Sequence, residues 1–94
     1  MQLRWQDDAI TDLRQLQAYI AQDNPQAAAR VARRIQQATS RLIDQPALGR
    51  PGRVPDTREL IIPNTPYIVA YRITGTTVTI LRVLHAARRW PETC

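Results

Sequence analysis

RELIIPNTPYIVAYRITGTTVTILRVLHAARRWP, residues 58–91, decides how this chain folds. Three runs in it, Arg58 to Ile62, Tyr67 to Ile73 and Val78 to His85, are rich in Ile, Val, Tyr and Thr, the residues that fit a pleated and half-buried surface. Between them lie Pro63-Asn64-Thr65-Pro66 and Thr74-Gly75-Thr76-Thr77, both turn chemistry. The segment therefore predicts a three-stranded antiparallel meander. With Gly75-Thr76 as a two-residue turn and Gly75 at the positive φ of a type II′ first position, counting outward pairs Ile73 with Val78, Tyr71 with Ile80, Val69 with Arg82 and Tyr67 with Leu84. That register puts a guanidinium in mid-strand between two tyrosines. Burying it would desolvate a charge for which the strands offer no acid, so the Tyr67, Tyr71 and Arg82 face is expected to point outward, with the opposite face, through Ile68, Ala70, Leu81 and Val83, under helices.

Upstream, Gln2 to Trp5 alternates and reads as a first strand. Asp7 and Asp8 precede Ile10, Leu13, Leu16 and Ile20, the spacing of one helix face with acids where the helix dipole favours them, and the first helix is expected over 7–22. Asn24-Pro25 is a restart signal, with Asn to cap the free amides and Pro preset for the first helical position. Ala28, Val31, Ile35, Ala38 and Leu42 then repeat at steps of three and four until Pro46. Two helices separated so briefly form an antiparallel hairpin. Off their stripe lie Arg30, Arg33, Arg34 and Arg41, as on a solvated helix face. Pro46 to Pro55, with three Pro and two Gly, is expected to have no regular structure while presenting Arg50 and Arg53. The order predicts one α+β domain over 1–94, with a helical hairpin on one face of a largely antiparallel sheet.

At 94 residues such a domain can bury a single core. All basic residues are Arg, and 13 of them against 8 acids give a net charge of +5, which attracts polyanions or an acidic protein partner. The lone Cys94 leaves no intrachain disulfide or cysteine metal cluster, and no metal or cofactor is expected. MQLRWQDDAI lacks an apolar signal core and no run is long enough to span a membrane, so a cytoplasmic protein is expected. No glycine-rich phosphate loop or zinc pair is present, and the sole Ser40 falls inside the second helix. What chemistry remains sits on the meander: Arg58, Tyr67, Tyr71, Arg72, Arg82 and His85, followed by Arg88 and Arg89. Guanidiniums can stabilise charge on a phosphoryl group and His85 can exchange protons near neutrality. Equally, His85 reads as a strand-end structural residue, and Trp90 is expected to pack back on the sheet.

Together, Asp12-Leu13, Tyr19-Ile20, Pro25 with Ala27-Ala28, Pro46-Ala47-Leu48-Gly49-Arg50, Arg58-Glu59-Leu60, Tyr67-Ile68-Val69-Ala70-Tyr71-Arg72 and Val83-Leu84-His85 before Ala87-Arg88-Arg89-Trp90 resemble the RelE/ParE family of bacterial type II toxins over nearly the whole chain. The resemblance implies a toxin paired with an antitoxin encoded beside it. RelE-like members cleave messenger RNA on the ribosome, whereas ParE-like members share the fold and block DNA gyrase. The Arg-Glu-Leu strand and the His-x-x-Arg-Arg tail look more like the ParE and plasmid-stabilisation branch. For the RelE-like alternative, Arg58, Arg82 and His85 resemble its catalytic set. For either branch, Arg50, Arg53, Tyr67, Tyr71, Arg72, Arg82, Arg88 and Arg89 are the expected target- or antitoxin-binding residues. A small basic nucleic-acid-binding module without toxicity is a further alternative.

Overall fold

A computed structural model describes residues 1–87. Strand β1, Gln2–Trp5, leads into helix α1, Asp7–Ala21, and helix α2, Pro25–Ser40. Two 3-10 turns, Arg41–Ile43 and Pro46–Leu48, then carry the chain to β2, Arg50–Pro51, and to the meander β3, Arg58–Ile61, β4, Tyr67–Thr74, and β5, Thr77–His85. One sheet results, ordered β1-β5-β4-β3-β2, antiparallel except where β1 runs parallel to β5. The α+β architecture, the helical hairpin and the helix restart are those expected. Asn24 caps α2 by accepting the Ala27 amide at 3.1 Å, with Pro25 at the first helical position. Gly75 adopts φ 59°, the left-handed conformation its turn demands. The stretch 46–55 is not wholly irregular: Arg50 and Pro51 pair with Glu59 and Arg58 as a two-residue edge strand, a position where Pro lacks no needed donor.

The meander register follows the turn only as far as Tyr71 opposite Ile80. Beyond it Ala70 pairs with Arg82, Val69 with Val83 and Tyr67 with His85, so Leu81 is an extra residue in a β-bulge. One inserted residue reverses the parity of all that follows, and Val83 and His85 join the face of Val69 and Tyr67.

The face assignment is reversed as well. The core under α1 and α2 consists of Leu60, Ile62, Val69, Tyr71, Val78, Ile80 and Val83 from the sheet against Ala9, Leu16, Ile35 and Leu42. Tyr71, expected outside, is 0% exposed and the largest fully buried side chain among the described residues. Its hydroxyl donates to the Pro46 carbonyl at 2.7 Å and accepts the Gly49 amide at 2.8 Å, so the polar tip is satisfied where the ring is dry. The proline-rich stretch is thus tied to the core by this one hydroxyl. A Cβ on Gly49 would lie 2.7 Å from the Tyr71 ring, so a larger residue there is excluded. Arg82 pointed the assignment the wrong way, because its acid partner comes from α1 rather than from a strand.

Candidate functional site

Strand β1 covers β5 only as far as Ile80, and among the described residues no strand neighbours the β5 backbone beyond it on that side. Asp12 of α1 fills the gap. Its Oδ2 accepts the Val83 amide at 3.0 Å and Arg82 Nε at 2.7 Å, and its Oδ1 accepts Arg82 Nη2 at 3.1 Å. A bidentate carboxylate–guanidinium pair that also takes a strand-edge amide holds the Arg82 side chain against α1 at the margin of the sheet.

This pair forms one wall of a cleft of about 670 Å³ between α1 and the C-terminal end of β5. Gln15, Leu16 and the exposed Tyr19 continue the α1 wall, and Pro66, Tyr67, Leu84 and His85 close the opposite side. Tyr67 and His85, brought opposite each other by the bulge, stack edge to face with centroids 5.7 Å apart. His85 Nδ1 accepts the Ala87 amide at 3.1 Å, which directs Nε2 away from that turn. Three of the expected residues, Tyr67, Arg82 and His85, therefore meet in one cleft.

The others are placed elsewhere. Arg58 donates to the carbonyls of Gly49 at 2.7 Å and Ala47 at 3.4 Å, and so fastens the 46–49 turn to the sheet. Arg50 reaches the buried Glu59 carboxylate at 3.5 Å, and the other Glu59 oxygen accepts the Arg53 backbone amide at 3.1 Å, leaving the Arg53 side chain exposed. Tyr71 is core and unavailable to a partner. Arg72 lies on the sheet face away from the helices. Arg88, Arg89 and Trp90 fall outside the described residues. Asp12, Gln15 and Tyr19 were not anticipated as site residues. They follow one another along one side of α1 at steps of three and four, a legible polar margin, but nothing local states which strand that margin meets.

Beside β3, Leu48, Leu60, Ile61 and Pro63 line a shallower apolar groove of about 340 Å³ rimmed by Arg41 and Arg50. Among the described residues no group of His, Cys, Asp and Glu could hold a metal ion, and no helix is long and apolar enough to cross a membrane.

Residues 3–90 match the sequence profile described as the ParE toxin of the type II toxin-antitoxin system parDE. The chain belongs to the ParE toxin family. The Y4kP protein of Sinorhizobium fredii is 48% identical over 96% of this ParE-family chain and 93% of its own length. Toxin RelE2 of Caulobacter vibrioides is 34% identical over 93% and 97%. Among solved structures, the chromosomal ParDE system of P. aeruginosa superposes with a TM-score of 0.80 at 27% identity, covering 90% of this chain and 95% of that one. The family thus spans relatives carrying both the ParE and the RelE name.

In this ParE-family chain Arg82→Ala should be destabilising, by about 2 kcal/mol, because it strands the Asp12 carboxylate, whose side chain is only 12% exposed. In a double-mutant cycle the Asp12→Ala, Arg82→Ala pair should cost clearly less than the sum of the two single changes. Additivity in chemical denaturation would show that the pair does not couple.

Proposed function

We propose that the chain is the toxin of a type II toxin–antitoxin module which arrests growth by binding and inhibiting DNA gyrase, and which a cognate antitoxin neutralises. Metal-free RNA cleavage needs a proton acceptor, charge stabilisation at the phosphate and a proton donor within reach of one phosphodiester. The observation that carries the choice is where the two arginines of that set are spent. Arg82 is held bidentately by Asp12, and Arg58 is committed to the Ala47 and Gly49 carbonyls. Arg58 also stands two strands and four residue rows from His85, roughly 16 Å away at the usual strand spacing and rise. A protein-directed inhibitor needs only a shaped surface, and the rim of the cleft supplies aromatic anchors of the kind that dominate interfaces, Tyr19 and His85 exposed and Tyr67 half-buried between them and the core.

For the antitoxin, the groove beside β3 is the best-suited seat. Its apolar floor with Arg41 and Arg50 at the rim fits an acidic amphipathic segment that orders on binding. The messenger-cleavage reading retains one favourable observation, the meeting of Tyr67, Arg82 and His85 in one cleft.

Two assays on the same preparation decide the target. Purified toxin should inhibit supercoiling by gyrase, and primer extension on messenger from expressing cells should show no new ribosome-dependent ends. Cuts in messenger with gyrase unaffected would replace this reading by the nuclease, and their loss in His85→Ala would then identify its proton-transfer group.

A further inference from the structure

On the sheet face turned away from α1 and α2, three strands place their polar residues in register. Arg4 of β1 lies opposite Thr79 of β5, and Thr79 lies opposite Arg72 of β4, giving one cross-strand row of Arg, Thr and Arg. The next row is Gln2, Thr77 and Thr74. The alternating residues, Leu3, Val78 and Ile73, and Trp5, Ile80 and Tyr71, belong to the core or pack against it, so the two-residue period of the strands itself segregates this polar lattice. A hollow of about 230 Å³ opens along the first row, with Gln6 at its end. Among the described residues neither Arg4 nor Arg72 is in an ion pair, and no acid stands in either row. Asp7 and Asp8 flank Arg4 only from an adjoining hollow at the start of α1.

We propose that the Arg4–Thr79–Arg72 row binds the phosphodiester backbone of a nucleic acid. Two strand spacings separate the arginines by about 10 Å at Cα, a span that a run of phosphates along one strand fills and a lone carboxylate does not. Arg, Thr and Gln are the side chains that contact phosphate and sugar oxygens. A protein segment docking on this row would need a central apolar or aromatic anchor, and the lining of the hollow offers none beyond the buried Leu81, the exposed Ile61 of the same sheet face standing apart on β3. With no group placed to read base edges, binding follows charge rather than sequence. This activity goes beyond the gyrase reading and does not rest on it, since it is measured without gyrase.

The test is fluorescence anisotropy of the purified chain with a labelled mixed-sequence oligonucleotide, single-stranded and duplex, across a salt series. Arg4→Ala with Arg72→Ala should lower the slope of log affinity against log salt by about 2 and weaken binding about equally for every sequence tried. Arg4→Lys with Arg72→Lys should keep the wild-type slope. Arg30→Ala with Arg33→Ala, on the solvated side of α2, should leave slope and affinity as in the wild type, and thermal melts establish that each variant is folded. No binding of either oligonucleotide, or an unchanged slope in the Ala pair, overturns the proposal. Tighter binding of poly-glutamate than of oligonucleotide, lost in the same pair, would assign the face to an acidic protein instead.

Discussion

Tyr71→Ala should cost about 4 kcal/mol, the loss typical of deleting a large buried aromatic ring. Marginal stability of about 5–15 kcal/mol makes that a large share of the whole, and for a domain of this size the melting temperature should fall on the order of 20 °C. The effect is large because the residue works at both ends. Its ring fills the core between the sheet and the helices, and its hydroxyl closes the 46–49 turn through the Gly49 amide and the Pro46 carbonyl. Tyr71→Phe keeps the ring and strands those two backbone groups, so it should cost roughly 1–3 kcal/mol. Burial pushes the Tyr71 phenol above its ordinary value of 10.0, against the smaller opposing pull of the Gly49 hydrogen bond and the Arg58 charge. The folded chain thus keeps a proton that the unfolded chain loses near pH 10. This contribution to stability is complete below about pH 10 and disappears as pH rises through the folded pKa. Tyr71→Phe should lack that part of the alkaline decline. A Tyr71→Ala melting point within a few degrees of wild type would put the tyrosine back on the outside of the sheet.

Expressed in bacteria without its antitoxin, the chain should reduce colony counts by orders of magnitude, and co-expression of the cognate antitoxin should restore them. Unimpaired growth with folded protein confirmed in the lysate would remove the toxin reading and leave a small basic binding module. His85→Ala sharpens the result. A gyrase inhibitor uses His85 at most as one part of a contact surface, so most of the toxicity should survive the substitution. A nuclease that moves protons through the only histidine in the chain should lose nearly all of it. Loss of toxicity in Tyr71→Ala would decide nothing about mechanism, because an unfolded toxin is harmless under either reading.

Much of this architecture was written locally. Asn24-Pro25 states a helix restart in two residues, Gly75 states a positive φ, and the apolar steps from Ala28 to Leu42 state a helix face, because each signal acts within a few residues of itself. The family was legible for the same reason, as ordered motifs from Asp12 to His85. The target was not, since branches that share a fold differ only in what their surfaces touch. The strand starts were correct at Gln2, Arg58 and Tyr67 and close at Thr77.

By itself, then, the sequence determined the order of elements, the helical hairpin, the meander and the turn that starts its register. Tertiary structure decided which face the helices cover and which residues share a cleft. Both decisions depended on a single inserted residue and a single distant pair. Leu81 bulges and reverses the parity of Val83 and His85, which no count outward from Gly75 detects, because an insertion leaves the alternation of residue types almost intact. Arg82 finds its acid 70 positions away at Asp12, so a charge that looked unaffordable in a covered sheet is neutralised from the layer above it. Hydrogen-bonded pairing across layers is set by how α1 crosses β5, and that crossing exists only once the chain has packed.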